Sequence, residues 1–272
     1  MNLPERKPKS KMPVLDAILA ATRATLPDLR RRSAALEAAA QAQQPPQDFA
    51  SALRGERVAL IAEVKRRSPS AGAIHESLDP AGLAAAYGRG GAAAISVLTD
   101  GPWFGGSLAD LEAVARVVPL PLLRKDFILD EVQLLEARAS GAAAALLIVR
   151  ALDDASLRRL TRFAHELGLS VLVETHTTAE VSRAMDAGAR IIGVNSRDLD
   201  DFTIDCAKAW QIMSAIPSEL TAVAESGMAS VADVEAAAAA GADAVLIGSA
   251  LASSATPESA ARAVAEVRRR GR

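Results

Sequence analysis

The sequence predicts a (β/α)8 TIM barrel with extra N-terminal helices. Its clearest signal is a repeated unit in which a helical stretch ends in glycine and a short apolar strand follows. Glycine just past a helix adopts the left-handed conformation that stops the helix, so each unit comprises a helix, a turn and a strand. Strands that alternate with helices indicate a parallel sheet covered by helices, and eight such units in about 250 residues favour a closed barrel.

The eight predicted strands are short apolar segments of two kinds. An open doubly wound sheet is the alternative arrangement, but it requires a dinucleotide fingerprint or a phosphate loop after the first strand, and the sequence has neither there. Five strands lie in glycine-framed units at 88–100, 139–150, 166–174, 186–195 and 239–248. Three have less clear frames, at 58–65, 120–125 and 221–224.

Helical patterns precede and separate the strands. Upstream of the first strand, Val14, Leu15, Ile18 and Leu19 form one apolar helix face. We therefore expect residues 12–57 to be a helical extension packed on the barrel, interrupted by a linker loop at 41–47, within one domain spanning 12–272. Residues 1–11 are expected to be a disordered tail. The later helical patterns lie at 110–118, 131–139, 155–167, 179–187, 207–215, 231–240 and 258–270.

Composition limits the classes of partner and the compartment. A formal charge of −2 and a pI near 6.0 give no electrostatic reason to bind nucleic acid or an anionic membrane. The longest purely apolar run, 142–149, is far short of the ~20 residues that span a bilayer. Asp16 and Arg23 interrupt any signal-peptide core, and the single cysteine, Cys206, fits a reducing cytosol. We expect a cytoplasmic protein in which Cys206 has a structural role.

Lysine usage is the strongest indication of chemistry. The chain has six lysines against 25 arginines, yet Lys65 and Lys125 each end an apolar strand segment. Arginine keeps its proton at any working pH, whereas a partly buried lysine can lower its pKa and release a proton. Because the active site of such a barrel lies at the carboxyl ends of its strands, both lysines are predicted site residues.

Other polar residues stand at the same ends of the predicted strands. Glu63 and Lys65 share one face of the first strand, since strand side chains alternate between faces. Carboxylates, ammonium groups and an amide that converge at one mouth would form an acid–base site. The later strand ends contribute Thr99, Asp100, Asp126, Arg150, Glu174, Asn195, Arg197 and Glu225.

The last two strands predict a phosphate site. Ser226 and Gly227 follow the seventh strand, and Gly248 and Ser249 follow the eighth just before a helical segment. Small residues let backbone N–H groups approach an anion, and a helix N-terminus adds a favourable dipole. Barrels often bind phosphate with these two loops, so we expect a phosphorylated small-molecule substrate. Two tight glycine turns without a ligand are the alternative.

Two loops at the predicted mouth have unusual composition. Residues 66–80 form a long connection rich in Ser, Pro and Gly, typical of a lid or of a disordered segment. Trp103 and Phe104 follow the second strand, and Phe127 follows Lys125. These scarce aromatic side chains are interpreted either as a slot at the mouth or as a cover over the barrel.

The sequence gives no indication of a cofactor. His75, His165 and His176 share no metal-ligand spacing, so we expect neither a metal nor another cofactor, and His165 is expected on a helix surface. The two basic runs, 30–32 and 268–270, are interpreted as solvated faces of helices.

Eight segments at the predicted strand ends carry the most specific pattern in the sequence. They are IAEVKRRSPSAG (61–72), SVLTDGPWFGGSL (96–108), LLRKDFI (122–128), LLIVRAL (146–152), VLVETH (171–176), IIGVNSRDL (191–199), AESGM (224–228) and LIGSAL (246–251). Taken in order, they resemble the indole-3-glycerol phosphate synthase family over residues 14–268. A lone ESG or KDF motif would be weak evidence, whereas eight segments in the correct order are highly specific. Because the sequence ends after the eighth helical segment, we expect no fused isomerase domain of the kind found in some members.

The resemblance implies a carbon–carbon lyase of tryptophan biosynthesis. Its substrate would be 1-(2-carboxyphenylamino)-1-deoxyribulose 5-phosphate, and its products indole-3-glycerol phosphate, carbon dioxide and water. By family similarity, Lys125 would protonate the ketone oxygen while Glu174 holds it in place. Lys65 would hold the departing carboxylate or act as the acid in the dehydration. Glu63 would stabilise positive charge or act as a base, and Asn195 would orient a hydroxyl.

The resemblance also assigns substrate contacts. Pro69, Phe104, Phe127 and Leu199 match the apolar pocket for the aromatic ring, and Ser68 is counted with the substrate site. Arg197 and Glu225 would organise the polar side of the mouth. The phosphate would be bound by Ser226, Gly227, Gly248 and Ser249.

Two other functions are open on the sequence alone. One is a different phosphate-binding barrel enzyme, such as phosphoribosylanthranilate isomerase, whose chemistry typically uses a cysteine and an aspartate at strand ends. Cys206 does not stand at a predicted strand end. The other is a non-catalytic barrel that binds a phosphorylated metabolite, but such a protein would have no need for paired lysines and glutamates at its mouth.

Overall fold

A computed structural model describes residues 14–68, 72–73 and 78–271. Within them, eight parallel strands close into a barrel in which each strand pairs with its neighbours along the chain and β1 pairs with β8. The predicted (β/α)8 fold is confirmed. The predicted tail at 1–11 lies outside the described residues. The strands are β1 Ala59–Val64, β2 Ala94–Leu98, β3 Leu122–Lys125, β4 Ala144–Ile148, β5 Ser170–Thr175, β6 Ile191–Asn195, β7 Thr221–Glu225 and β8 Ala244–Ile247.

Helices precede the barrel and connect its strands. Between β1 and β2, where the sequence pattern predicts no separate helix, a helix begins with Asp79 as N-cap and Pro80 in the first turn. The helices are α1 Val14–Arg31, α2 Ser33–Ala42, α3 Phe49–Ala52, α4 Pro80–Arg89, α5 Leu108–Ala115, α6 Glu131–Ala139, α7 Asp154–Glu166, α8 Thr178–Asp186, α9 Cys206–Met213, α10 Val231–Ala239, α11 Ser249–Ala252 and α12 Pro257–Ala265, with a 3-10 turn at Val149–Ala151.

The C-terminal segment departs from the prediction. The helix expected at 258–270 ends at Ala265, and Arg268 forms an antiparallel bridge with Arg57 just before β1. The Arg269 guanidinium contacts the buried Asp243 carboxylate. The interpretation of 268–270 as a helix face is therefore wrong, because backbone pairing beside β1 replaces the last helical turns. The other basic run, 30–32, is exposed, and Arg30 reaches the α6 N-cap residue Asp130.

Strand alternation divides the apolar residues into two layers. Residues such as Leu60 and Leu122 point outward and pack under the helices, whereas Ile61, Leu123 and Leu172 belong to a separate cluster inside the barrel. Side chains two positions after these inward-facing residues, toward the carboxyl end of each strand, also face inward and reach the mouth of the barrel. This register decides which polar residues at the strand ends can meet.

The N-terminal extension packs against the barrel as predicted. Leu15, Ile18 and Leu19 are at most 5% exposed and join the cluster that includes the inward-facing strand residues. The linker is shorter than the expected 41–47, because α2 continues to Ala42. Among the described residues, no helix combines the length and apolar composition needed to cross a membrane.

Truncation of a buried side chain on α1 tests this packing. Ile18→Ala should lower the free energy of unfolding by about 2–5 kcal/mol, because it leaves a cavity in the apolar cluster. The matched control is Arg23→Ala at an exposed position of the same helix, which should change stability by less than ~0.5 kcal/mol. Chemical denaturation measures both. Equal stabilities for the two variants would show that α1 is not packed on the barrel.

Candidate active site

The mouth of the barrel contains a cavity of about 470 Å³. Its polar side chains come from strand ends in the inward-facing register: Glu63 and Lys65 follow Ile61 by two and four positions, and Lys125 follows Leu123 by two. The other predicted site residues that line this cavity are Phe104, Phe127, Glu174, Asn195, Arg197, Leu199, Glu225, Ser226, Gly227, Gly248 and Ser249.

Lys125 lies at the centre of the charged groups. Its Nζ donates to Glu174 Oε2 at 3.0 Å and to Glu225 Oε2 at 2.9 Å, and its side chain is 14% exposed. Burial alone would lower the pKa of Lys125, but Glu174, Glu225 and then Glu63 raise it above its ordinary value. The expectation of a lysine with a lowered pKa is therefore wrong for this residue, because three carboxylates outweigh the loss of water.

Glu174 and Glu225 both contact the Lys125 ammonium, but their pKa values shift in opposite directions. Burial by itself would raise the pKa of Glu174, but Lys125 and then His176 lower it to about 2. Burial raises the pKa of Glu225 to about 7, against the opposing effect of Lys125 and with the added repulsion of Glu174. Contact with two cationic groups therefore stabilises the charged form of Glu174, whereas burial and the repulsion of Glu174 favour the protonated form of Glu225.

The second lysine forms a separate ion pair. Lys65 Nζ lies 2.7 Å from Glu63 Oε1, and both side chains are largely buried. A Cβ at Gly248 would lie 2.3 Å from Glu63 Oε1 and 3.1 Å from Lys65 Nζ. Gly248 therefore provides the space that this pair occupies, besides its predicted contact with phosphate.

Asn195 and Arg197 form another part of the polar wall. The Asn195 Oδ1 accepts the backbone N–H of Arg197 at 3.0 Å. The Arg197 guanidinium donates to the carbonyl oxygen of Phe202 at 3.1 Å, and burial lowers its pKa. These hydrogen bonds fold the loop after β6 over the cavity, so that its cation faces the site.

The predicted phosphate residues all line the cavity. Ser226 and Gly227 have φ angles of 64° and 75°, so consecutive residues after β7 adopt the left-handed conformation. A left-handed non-glycine residue is uncommon and marks a turn whose geometry is fixed by its surroundings. This turn and the Gly248–Ser249 backbone line the cavity with small groups.

The apolar wall matches the prediction in part. The rings of Phe104 and Phe127 lie 6.2 Å apart between centroids, and Leu199 lines the same cavity. Trp103 packs against the same apolar cluster as Phe104 but is not among the residues that line the cavity, so the slot does not include it. Ser68 is placed only by its backbone, in an antiparallel pair with Gly72.

Part of the predicted lid, the loop at 66–80, lies outside the described residues. This part comprises 69–71, with Pro69, and 74–77, with His75. At the base of this loop, Arg67 donates to the carbonyl oxygens of Gly101 and Pro102 at 3.2 and 2.6 Å. The start of the loop is therefore tied to the segment between β2 and α5.

Thr99, Asp100 and Arg150 have structural contacts instead of a place in the cavity, whereas Asp126 lines it. Asp100 accepts the backbone N–H groups of Trp103 and Phe104, and Thr99 donates to Asp126 Oδ2 at 2.5 Å. Arg150 pairs with Asp200 in the loop after β6. These contacts hold the loops that surround the site.

Sequence reasoning missed residues of three kinds. The inward-facing Leu146, Ile148 and Leu246 line the cavity, and strand alternation could have identified them. The loop residues Phe202 and Ile204 also line the cavity. No sequence pattern indicates this position, because it depends on the path of the loop after β6. A third kind is glycine within a strand: a Cβ at Gly193 of β6 would lie 2.0 Å from Glu225 Oε1.

Cys206 lies closer to the site than expected. It begins α9, and its Sγ lies 3.8 Å from the carbonyl oxygen of Gly227, in the turn after β7. The expectation that it is remote from any strand end is therefore wrong. His165 is exposed on α7, as expected. Among the described residues, no cluster of His, Cys, Asp and Glu side chains has the makings of a metal site.

Buried acid–base side chains at the carboxyl end of a closed (β/α)8 barrel define a barrel enzyme with its site at the usual face. Sequence comparison gives the particular family. The family model for indole-3-glycerol phosphate synthase matches residues 15–264, and the chain belongs to this family. A relative of that name from Streptomyces griseus is 50% identical over 92% of this chain and 93% of its own. One from Micrococcus luteus is 49% identical over 93% and 97%.

Similar solved structures agree on the fold. The 3-hexulose-6-phosphate synthase from Salmonella typhimurium has a TM-score of 0.62 at 16% identity, over 77% of this chain and 97% of that chain. The thiamine phosphate pyrophosphorylase from Pyrococcus furiosus has a TM-score of 0.58 at 15% identity, over 77% and 94%. At such low identity the likeness concerns the barrel alone.

Gly193 provides a test of the packing around the charged groups. In Gly193→Ala the added Cβ must displace the Glu225 carboxylate, which should lower kcat on the order of 10²-fold, the cost of a ~1 Å misplacement. Gly88→Ala on α4 is the control, because its new Cβ would approach Leu120 no closer than 3.4 Å. Circular dichroism should show intact folds for both. A kcat for Gly193→Ala equal to that of the control would contradict the close approach.

Proposed function

We propose that this chain performs the ring closure of its family with Lys125 as the general acid. The substrate is 1-(2-carboxyphenylamino)-1-deoxyribulose 5-phosphate, and the products are indole-3-glycerol phosphate, carbon dioxide and water. The observation that carries the proposal is the buried Lys125 ammonium held between two carboxylates within the mouth cavity. This role requires a proton donor placed by fixed contacts, because geometry precedes pKa in acid–base catalysis.

Ring closure needs a proton at the ketone oxygen. The ring carbon that bears the carboxylate attacks the ketone carbon, a carbon–carbon bond forms, and the oxygen takes the Lys125 proton to become a hydroxyl. Loss of carbon dioxide leaves its bonding electron pair in the ring. Glu174 holds Lys125 during this step, and Glu225 forms the other side of the clamp.

Dehydration completes the pyrrole ring. The new hydroxyl leaves as water after protonation, and a ring proton is lost to a base. The Lys65–Glu63 pair supplies both kinds of group within 2.7 Å of each other, an ammonium and a carboxylate. We assign Lys65 to the departing carboxylate and to this second protonation, Glu63 to the developing positive charge or to the proton loss, and Asn195 to a substrate hydroxyl.

The two ends of the substrate fit different walls of the cavity. The aromatic ring lies against Phe104, Phe127 and Leu199, and Arg197 offsets substrate charge at the rim. The phosphate binds the backbone of the turn after β7 and of Gly248–Ser249, a position where barrels commonly hold phosphate. A small phosphorylated metabolite is therefore the partner that we propose, with the cytoplasm as its compartment.

Replacement of Lys125 tests the proton donor. Lys125→Met should lower kcat by about 10²–10⁴-fold with the fold intact, because the proton donor of the ring-closure step is gone. Lys125→Arg should also fail, since guanidinium is a far weaker acid. The assay follows indole formation spectroscopically with the carboxyphenylamino sugar phosphate, and Lys208→Met, which removes an exposed lysine, is the control. Near-normal turnover by well-folded Lys125→Met would refute the assignment.

Replacement of Ser226 tests the phosphate position. Ser226→Asp adds a negative charge to the turn and should raise KM at least about tenfold through repulsion of the phosphate. Ser226→Asn is the matched control, because Asn and Asp both tolerate the left-handed conformation seen at this residue. Steady-state kinetics at several substrate concentrations separate KM from kcat. Equal KM values for the two variants would place the phosphate elsewhere.

A further inference from the structure

Behind Glu174, on the side away from Lys125, lies a histidine that the proposed chemistry does not use. His176 directly follows β5, and its side chain is 7% exposed. Its Nε2 lies 3.6 Å from Glu174 Oε1, and its Nδ1 lies 3.5 Å from Glu180 Oε2. Among the described residues, neither ring nitrogen makes a hydrogen bond. The imidazole is therefore enclosed between two carboxylates and faces each with one nitrogen.

Both carboxylates are held in place by further contacts. Glu180 Oε2 accepts the backbone N–H of His176 at 2.7 Å, in the first turn of α8, where Thr177 is the N-cap. Glu174 uses Oε2 for Lys125, while its Oε1 makes no hydrogen bond within the described part of the chain and points to the imidazole. A continuous row of charged groups thus runs from Glu180 through His176 and Glu174 to Lys125.

We propose that His176 is a positioning residue for the ring closure. The imidazole holds Glu174 with one oxygen toward Lys125, and its positive charge weakens the hold of Glu174 on the Lys125 proton. The second effect follows because the positive charges of His176 and Lys125 repel each other across Glu174, which makes the protonated form of Lys125 less favourable. This inference rests on the proposed role of Lys125 as the acid.

Charged groups from several elements surround the imidazole. Glu174 faces it from β5, Glu180 from α8 and Arg150 from the turn after β4. Beside it, a small cavity of about 140 Å³ is also lined by Asp198, Asp205 and Lys208, from α9 and the loop before it. Burial alone would lower the pKa of His176, but Glu180 and then Glu174 raise it above the ordinary value, with Arg150 opposing.

The sign of the pH effect follows from this raised pKa. Below it the imidazole is positively charged and Glu174 is shared between two cations. As the pH rises through it, His176 becomes neutral, Glu174 interacts with Lys125 alone, and Lys125 becomes a weaker acid. We therefore expect kcat to fall on the alkaline side, with an apparent pKa above ~6.5, the ordinary value for histidine.

The experiment compares kcat and KM with pH for the full chain and its histidine variants, from about pH 5 to about pH 9, which brackets the ordinary histidine pKa. His176→Asn should lower kcat about tenfold, equivalent to ~1.4 kcal/mol of transition-state stabilisation. It should also reduce the alkaline fall to the part caused by ionisation of Glu225, whose pKa is raised to about 7 beside Lys125. Its KM should stay within about twofold, since His176 does not line the main cavity. His165→Asn, at an exposed position on α7, should behave like the unaltered protein.

Titration of the histidine imidazoles by NMR provides a readout that needs no substrate. Glu180→Gln keeps an acceptor for the backbone N–H and should lower the His176 pKa, as should Glu174→Gln. An unchanged His176 pKa in both variants would overturn the inference, as would a His176→Asn profile with an undiminished alkaline fall or the full kcat. Absence of turnover in the unaltered protein would instead refute the proposed function, whatever the NMR titration shows.

Discussion

The interaction on which the site depends is the ion cluster of Lys125 with Glu174 and Glu225. Removing a charged group from water costs several kcal/mol per ion even in real proteins, so such a cluster persists only with close partners. Here the ammonium has two carboxylate contacts at 2.9–3.0 Å, and a third carboxylate, Glu63, adds to its stabilisation. The members stand on four different strands, and only closure of the barrel brings them together.

Two glycines, which have no side chain, provide the space for these charged groups. Glu225 lies against Gly193 of the neighbouring β6, and Glu63 lies against Gly248 at the end of β8. In both places a methyl group would overlap a carboxylate oxygen, at 2.0 and 2.3 Å. An acidic residue on one strand and a glycine on the next are thus one structural unit. Neither can be understood from its own position in the sequence.

Sequence reasoning succeeded where the barrel imposes a rule. Alternation along β1, β3 and β5 places Glu63, Lys125 and Glu174 on the inward face, as the structure has them. Applying this rule requires no knowledge of any tertiary contact. It failed where loops decide. Trp103 turns away from the cavity, whereas Phe202, held at a φ of 62°, folds into its wall. The Arg197–Ile204 bridge that shapes this loop joins residues whose types carry no turn signal.

The raised pKa of Lys125 changes the reason for having lysine at this position. A lysine that had lost its proton through burial could not serve as an acid at neutral pH, whereas the clustered carboxylates keep Lys125 charged. Such an ammonium releases its proton only to a strongly basic acceptor, and the oxygen of an attacked ketone becomes one as negative charge develops. Arginine would hold its proton too firmly even then. The carboxylates therefore keep Lys125 protonated before the reaction, so that it releases its proton only as the carbon–carbon bond forms.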